Sequence, residues 1–185
     1  MDRQLAINAI RKKLKDSRFN HSIRVYETAM KLNEIYNVDE EKLALASILH
    51  DYAKNLSISE MKQILERAGC YEKELTYNSE VWHSYAGAEL VKRDLGITDS
   101  DILQAISFHT TGHYSMTLLD KLVYLADYIE PARDFPGVED VRELVLIDID
   151  KAMQKALCIT INFLMQRKIP IAIHTIEIYN KLVKK

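Results

Sequence analysis

The run Leu43-Ala44-Leu45-Ala46-Ser47-Ile48-Leu49 ends in His50-Asp51. A helix that is apolar on every side for two turns is a buried helix, so other elements must surround it. Its end then sets an imidazole and a carboxylate on a rigid support inside that surround. A buried carboxylate normally needs a partner or a metal. The polar residues elsewhere that answer this need are His21, His83, His109 and Asp127.

The surround reads as helices. Only 5 Gly and 3 Pro interrupt 185 residues, which favours long helices. Leu5, Ile7, Ala9, Ile10 and Leu14 recur at helical spacing over residues 3 to 15. A break is expected over Lys15 to Asn20, with His21 opening a second helix that runs to Tyr36. Asp39 is an N-cap for the helix that carries His50-Asp51. Ser57 or Ser59 caps a short helix stopped by Gly69, and Cys70 to Ser79 reads as a loop. Trp82 to Leu95 is a helix stopped by Gly96, and Thr98-Asp99 cap another that reaches His109. Thr110-Thr111-Gly112-His113 forms a polar loop, with His113 as a loop residue, and Leu118 to Ile129 resumes helical periodicity up to Pro131. Glu139 to Ile149, Lys151 to Arg167 and Ile171 to Val183 complete the chain, with Asp150 as an N-cap and Pro170 opening the last segment. The expectation is an all-α helical bundle in one domain, residues 1–185. Its core spans about 18–130, and C-terminal helices 139–183 pack on it. Trp82, the tyrosines, Met116, Met153 and Met165 are expected to serve packing.

Charge and cysteine content narrow the function classes. A net charge of -2 and a pI near 6.3 argue against a nucleic-acid-coating surface. Cys70 and Cys158 form no CxxC pair, so neither a disulfide framework nor a thiolate zinc site is indicated. No run approaches the roughly 18 apolar residues of a membrane span, and the amino terminus has no uninterrupted apolar region. A cytoplasmic protein, with a homodimer left open, is the expected setting.

Taken singly, each histidine is more often a hydrogen-bonded core residue than a ligand. Asp127 directly follows the apolar stretch Leu122-Val123-Tyr124-Leu125-Ala126, and an Asp there is seldom buried without a partner. His21, His50, Asp51 and Asp127 together make a two-His, two-carboxylate set without thiolate. That set suits iron, manganese or zinc with positions left for water and substrate.

The order of these residues resembles the HD superfamily of metal-dependent phosphohydrolases. Arg18-Phe19-Asn20-His21-Ser22, Leu49-His50-Asp51-Tyr52-Ala53-Lys54, His109-Thr110-Thr111-Gly112 and the stretch from Tyr124 to Val138 look like the YqeK family within it. The likeness runs from about residue 4 to 182. It implies symmetrical cleavage of diadenosine tetraphosphate into two ADP at a metal, with iron the expected ion, one or two per chain, and manganese, zinc or another divalent ion as alternatives. His21, His50, Asp51 and Asp127 match its metal ligands, and His83 and His109 match a second metal position. Arg18, His21, Lys54, His83, His109, Thr110, Thr111 and Arg133 fall around the nucleotide phosphates. Pro170, Ile171, His174 and Thr175 fall at the nucleoside end.

Cleaving a phosphoanhydride needs a nucleophile, charge neutralisation and in-line geometry. Asp51 or Asp127 would orient the water or take its proton, and His83, His109, Lys54 and Arg18 would stabilise developing negative charge. Three readings compete with the tetraphosphatase. Another HD enzyme would act on a dNTP, a nucleoside monophosphate or a cyclic nucleotide. A sensor would bind nucleotide without turnover, and a structural module would hold no metal.

Overall fold

In the computed structural model, residues 1–69 and 79–184 are described. They form ten α-helices and, among these residues, no strand: α1 Arg3–Lys13, α2 Asp16–Tyr36, α3 Glu40–Leu49, α4 Ile58–Ala68, α5 Trp82–Leu95, α6 Ser100–Phe108, α7 Leu118–Ile129, α8 Val138–Leu144, α9 Ile149–Gln166 and α10 Ile173–Val183. The loop expected over Cys70 to Ser79 lies outside the described residues, except that Ser79 opens a 3-10 turn through Val81.

Helix α3 is the axis of the assembly. Every residue from Leu43 to Leu49 is buried, and α1, α2, α6 and α7 all pack against it. Asp39 caps its start by accepting from the Lys42 amide at 3.0 Å, and Glu40 and Glu41 complement the positive end of the helix. Around this axis α2 packs on α7, α5 on α4 and α6, and α6 on α7. On the outer side α9 bridges α7, α8 and α10. Helices α8 and α9 thus pack on α7, the helix that carries Asp127.

Several boundaries differ from expectation. The break after α1 is confined to Leu14 and Lys15, so Arg18, Phe19 and Asn20 are helical. Lys15 stands at the N-cap without a side-chain cap, and its own amide donates to the Asn55 side chain at 2.8 Å. The capping residue of α9 is Asp148, whose carboxylate accepts from the Asp150 and Lys151 amides at 3.0 and 3.1 Å. Asp150 instead sits in the first turn and pairs with Lys121 at 2.6 Å. Helix α8 ends at Leu144; beyond it Val145 is still buried, whereas Leu146 and Ile147 are 58% and 80% exposed. Helix α10 starts at Ile173, two residues later than expected. Met116 and Met153 are buried, whereas Met165 is exposed and packs no core.

Candidate metal centre

Five helix segments deliver the polar residues singled out above. His21 lies one turn beyond Arg18 on α2, His50 caps the C-terminal end of α3, and Asp51 follows it. His83 is in the first turn of α5, His109 caps the C-terminal end of α6, and Asp127 is in the last turn of α7. His50, Asp51, His83, His109 and His21 are all buried, and Asp127 is half-buried.

The backbone fixes which nitrogen each imidazole offers. A helix leaves its last carbonyls without intrahelical partners. His50 Nδ1 donates to the Ser47 carbonyl at 2.7 Å and His109 Nδ1 to the Ile106 carbonyl at 2.8 Å. His83 Nδ1 donates in the same three-residue pattern to the Glu80 carbonyl at 2.6 Å. His21 Nδ1 donates to a carboxylate, Glu130 Oε1, at 3.1 Å. With Nδ1 so engaged, each Nε2 carries a lone pair toward the centre, the arrangement found at metal-ligating histidines.

The lone pairs and carboxylate oxygens then converge. His21 Nε2 is 3.0 Å from Asp127 Oδ1 and 3.4 Å from His50 Nε2. His21 and His50 each approach Asp51 Oδ2 at 3.8 Å. The other oxygen of the same carboxylate, Asp51 Oδ1, lies 3.1 Å from His83 Nε2 and 3.8 Å from His109 Nε2. His83 and His109 bring their Nε2 atoms to 3.2 Å of each other. Two groups of mutually close donors result, His21-His50-Asp127 and His50-Asp51-His109. Acceptors aimed at one another at such distances repel unless a proton or a cation lies between them. The donor set fits a divalent metal.

The electrostatics agree with that chemistry. Burial opposes ionisation of Asp51, yet the surrounding His50, His83 and His109 hold its carboxyl well below the usual range. Burial likewise opposes ionisation of Asp127, and the neighbouring His21 with the positive charge of Arg133 holds its carboxyl well below the usual range. Burial pushes His109 down to about 3 and lowers His50 as well, so both are neutral at physiological pH. For His21 the same burial is overcome by Asp127 and Asp51, which raise it.

Cationic side chains ring the cluster. Arg18 Nη1 is 3.4 Å from Asp51 Oδ2. Arg133 donates from Nε to the Asp127 carbonyl at 2.9 Å and pairs through Nη2 with Asp127 Oδ1. Lys54 Nζ lies 3.2 Å from His83 Nδ1. Thr110 hydroxyl meets Ser84 Oγ at 3.2 Å beside His109. Thr111 turns inward, its hydroxyl donating to the Gly112 carbonyl at 2.9 Å. Thr175 donates to the Thr111 carbonyl at 2.9 Å, and the His174 ring meets Phe108 edge-on at 5.5 Å. Ile171 is half-buried and Pro170 exposed, just before α10. His113 is a buried loop residue, 3.3 Å from Asp120 and against Phe108.

Sequence reasoning passed over Glu130 and Arg24. Glu130 accepts from His21 Nδ1, from Arg24 Nε at 2.6 Å and from the Ala132 amide at 2.8 Å. The signal was present: Glu130 closes an apolar helix, as Asp51 does, and His21 needed a partner for its second nitrogen.

Fold and donor set together define the class. The chain belongs to the HD domain family, whose model matches residues 18–132. The match begins at Arg18 and ends just past Glu130, so it takes in every residue of the cluster. The chain is 43% identical over 183 residues to the symmetrical bis(5'-nucleosyl)-tetraphosphatase of Bacillus subtilis, an alignment spanning 99% of this chain and 98% of the relative. The enzyme of the same name from Halalkalibacterium halodurans is 42% identical over 99% of this chain and 98% of its own length. A Clostridium acetobutylicum crystal structure described as a "predicted HD superfamily hydrolase involved in NAD metabolism" superposes with a TM-score of 0.92 at 38% identity, covering 98% of this chain and 96% of that one.

Proposed function

We propose that this chain hydrolyses diadenosine tetraphosphate symmetrically to two ADP at a divalent metal centre. The observation that carries the reading is the near-full-length identity to curated symmetrical tetraphosphatases, 43% and 42%. The His/Asp cluster supports it, because a phosphoanhydride is cleaved mainly by charge neutralisation and positioning.

In this reading His21, His50, Asp51 and Asp127 hold the first ion, and iron is the ion we assign. The two oxygens of Asp51 face opposite halves of the cluster, so His83 and His109 can hold a second ion through the shared carboxylate. A divalent cation there supplies Lewis acidity and acidifies water. Asp51 or Asp127 orients the attacking water, and the proton that water loses passes to bulk solvent. Arg18 and Lys54 neutralise charge on the attacked and departing phosphates, with Arg133 and Thr110 fixing the chain of phosphates between them. The leaving group is a diphosphate whose terminal ionisation lies near pKa 6, so a strong general acid is dispensable. The segment from Pro170 to Thr175, against Thr111 and Phe108, receives one nucleoside.

Product analysis tests this. Diadenosine tetraphosphate incubated with the metal-loaded chain is expected to yield ADP alone; ATP plus AMP would contradict symmetrical scission. Lys54→Ala is expected to keep metal content and weaken nucleotide binding, and loss of the metal in that variant would remove Lys54 from its role.

A further inference from the structure

A cavity for which neither the ligand set nor the Pro170–Thr175 segment accounts lies on the far side of Arg133 from Asp127. It lies between the loop that follows α7 and the C-terminal half of α9, with a volume of about 580 Å³. Cavities of roughly 300–1,000 Å³ hold small organic ligands. Tyr128, Phe135 and Phe163 give it aromatic walls, Asn162 and Gln166 give it amide groups, and Arg133 stands at one side. Arg133 is also the residue that pairs with Asp127, so one side chain links the wall of the cavity to one end of the donor cluster.

The walls are fixed by packing. Tyr128 donates to the Ala156 carbonyl at 3.2 Å, and its ring meets Phe135 edge-on at 5.1 Å. Gly137 adopts φ +90°, and a Cβ there would stand 2.8 Å from Ile159 Cδ1. The positive φ is what calls for glycine there. Phe163, by contrast, leaves 49% of its surface exposed. A half-exposed aromatic ring beside amides and an arginine is the composition of a stacking site for a nucleobase.

Symmetrical scission imposes a requirement of its own. The broken bond has the same nucleoside diphosphate on each side, so the site must hold two nucleosides in opposite directions from the cluster. Thr110, Thr111 and the Pro170–Thr175 segment adjoin the His109 end. At the Arg133 end, this cavity has the aromatic and amide walls that a nucleoside needs. Resting on the hydrolase reading above, we infer that the cavity of Tyr128, Phe135, Asn162, Phe163 and Gln166 binds the second nucleoside, with Arg133 passing its phosphates to the cluster.

Two measurements decide it. Phe163→Ala and Phe135→Ala are expected to raise KM for diadenosine tetraphosphate about tenfold, the loss of one base-stacking contact, with kcat within about twofold of the unaltered chain. KM unchanged in both variants, with the unaltered chain active, would overturn the inference and leave the hydrolase reading standing. Phe163→Trp places a fluorescent reporter in the cavity and needs no turnover. ADP is expected to quench its added emission, above that of Trp82 alone, and absence of quenching would overturn the inference. An unaltered chain that releases no ADP would overturn the hydrolase reading separately.

Discussion

Glu130 sits behind His21 with Arg24 on its other side, and the three form a relay that fixes the imidazole. A carboxylate behind a metal-ligating histidine sets its tautomer and raises its basicity, and losing it typically costs 10–100-fold in metal affinity. Glu130→Gln is therefore expected to weaken metal retention by about tenfold in a chelator competition. The same residue makes a pH prediction. Burial opposes its ionisation, but the Arg24 hydrogen bond leads the interactions that bring its carboxyl from 4.5 down to about 2. Between those values the unfolded chain binds the proton and the folded chain does not, so stability rises with pH there. This contribution is complete above about pH 4.5 and lost as pH falls through about 2. Denaturant midpoints measured from pH 2 to 5 should climb less steeply for Glu130→Gln than for the unaltered chain; parallel curves would contradict the ion pair's role.

Element by element, the helices that were plain in the sequence are those whose own residues decide them. The α3 run needs no neighbour to be read as buried, and Asp39 and Gly96 mark ends by local chemistry. Boundaries set by distant residues were not legible. At the start of α2 the Lys15 amide is held by Asn55, 40 positions away in sequence. The start of α9 turns on which of Asp148 and Asp150 reaches the free amides, a difference of one backbone conformation. Asp148→Ala is expected to cost about 1 kcal/mol as a lost cap, whereas Asp150→Ala loses a partly exposed pair with Lys121 worth about half of that or less. Urea titrations of the two variants check the order. In the centre itself, the residue types were readable but the directions were not. His50, His83 and His109 aim Nε2 inward because backbone carbonyls three residues earlier take Nδ1, which only a folded chain shows.

At the scale of the whole molecule, the cluster joins α2, α3, α5, α6 and α7 through six side chains, two of them, His50 and Asp51, at the end of α3. An ion that binds only this folded arrangement stabilises it by mass action, about 2.7 kcal/mol at a hundredfold excess over Kd. For a chain of this size that shifts Tm by roughly 5–10 °C, so exhaustive chelation should lower Tm by that amount and readdition of metal restore it. These histidines and aspartates are expected to hold a divalent metal on which hydrolysis depends. Elemental analysis of chain purified without a histidine tag, set beside the same analysis of His50→Ala and Asp127→Ala, tests it most directly. Stoichiometric metal in the unaltered chain, lost with ADP release in both helical variants, is the expected result. Full turnover by either variant without bound metal would contradict it.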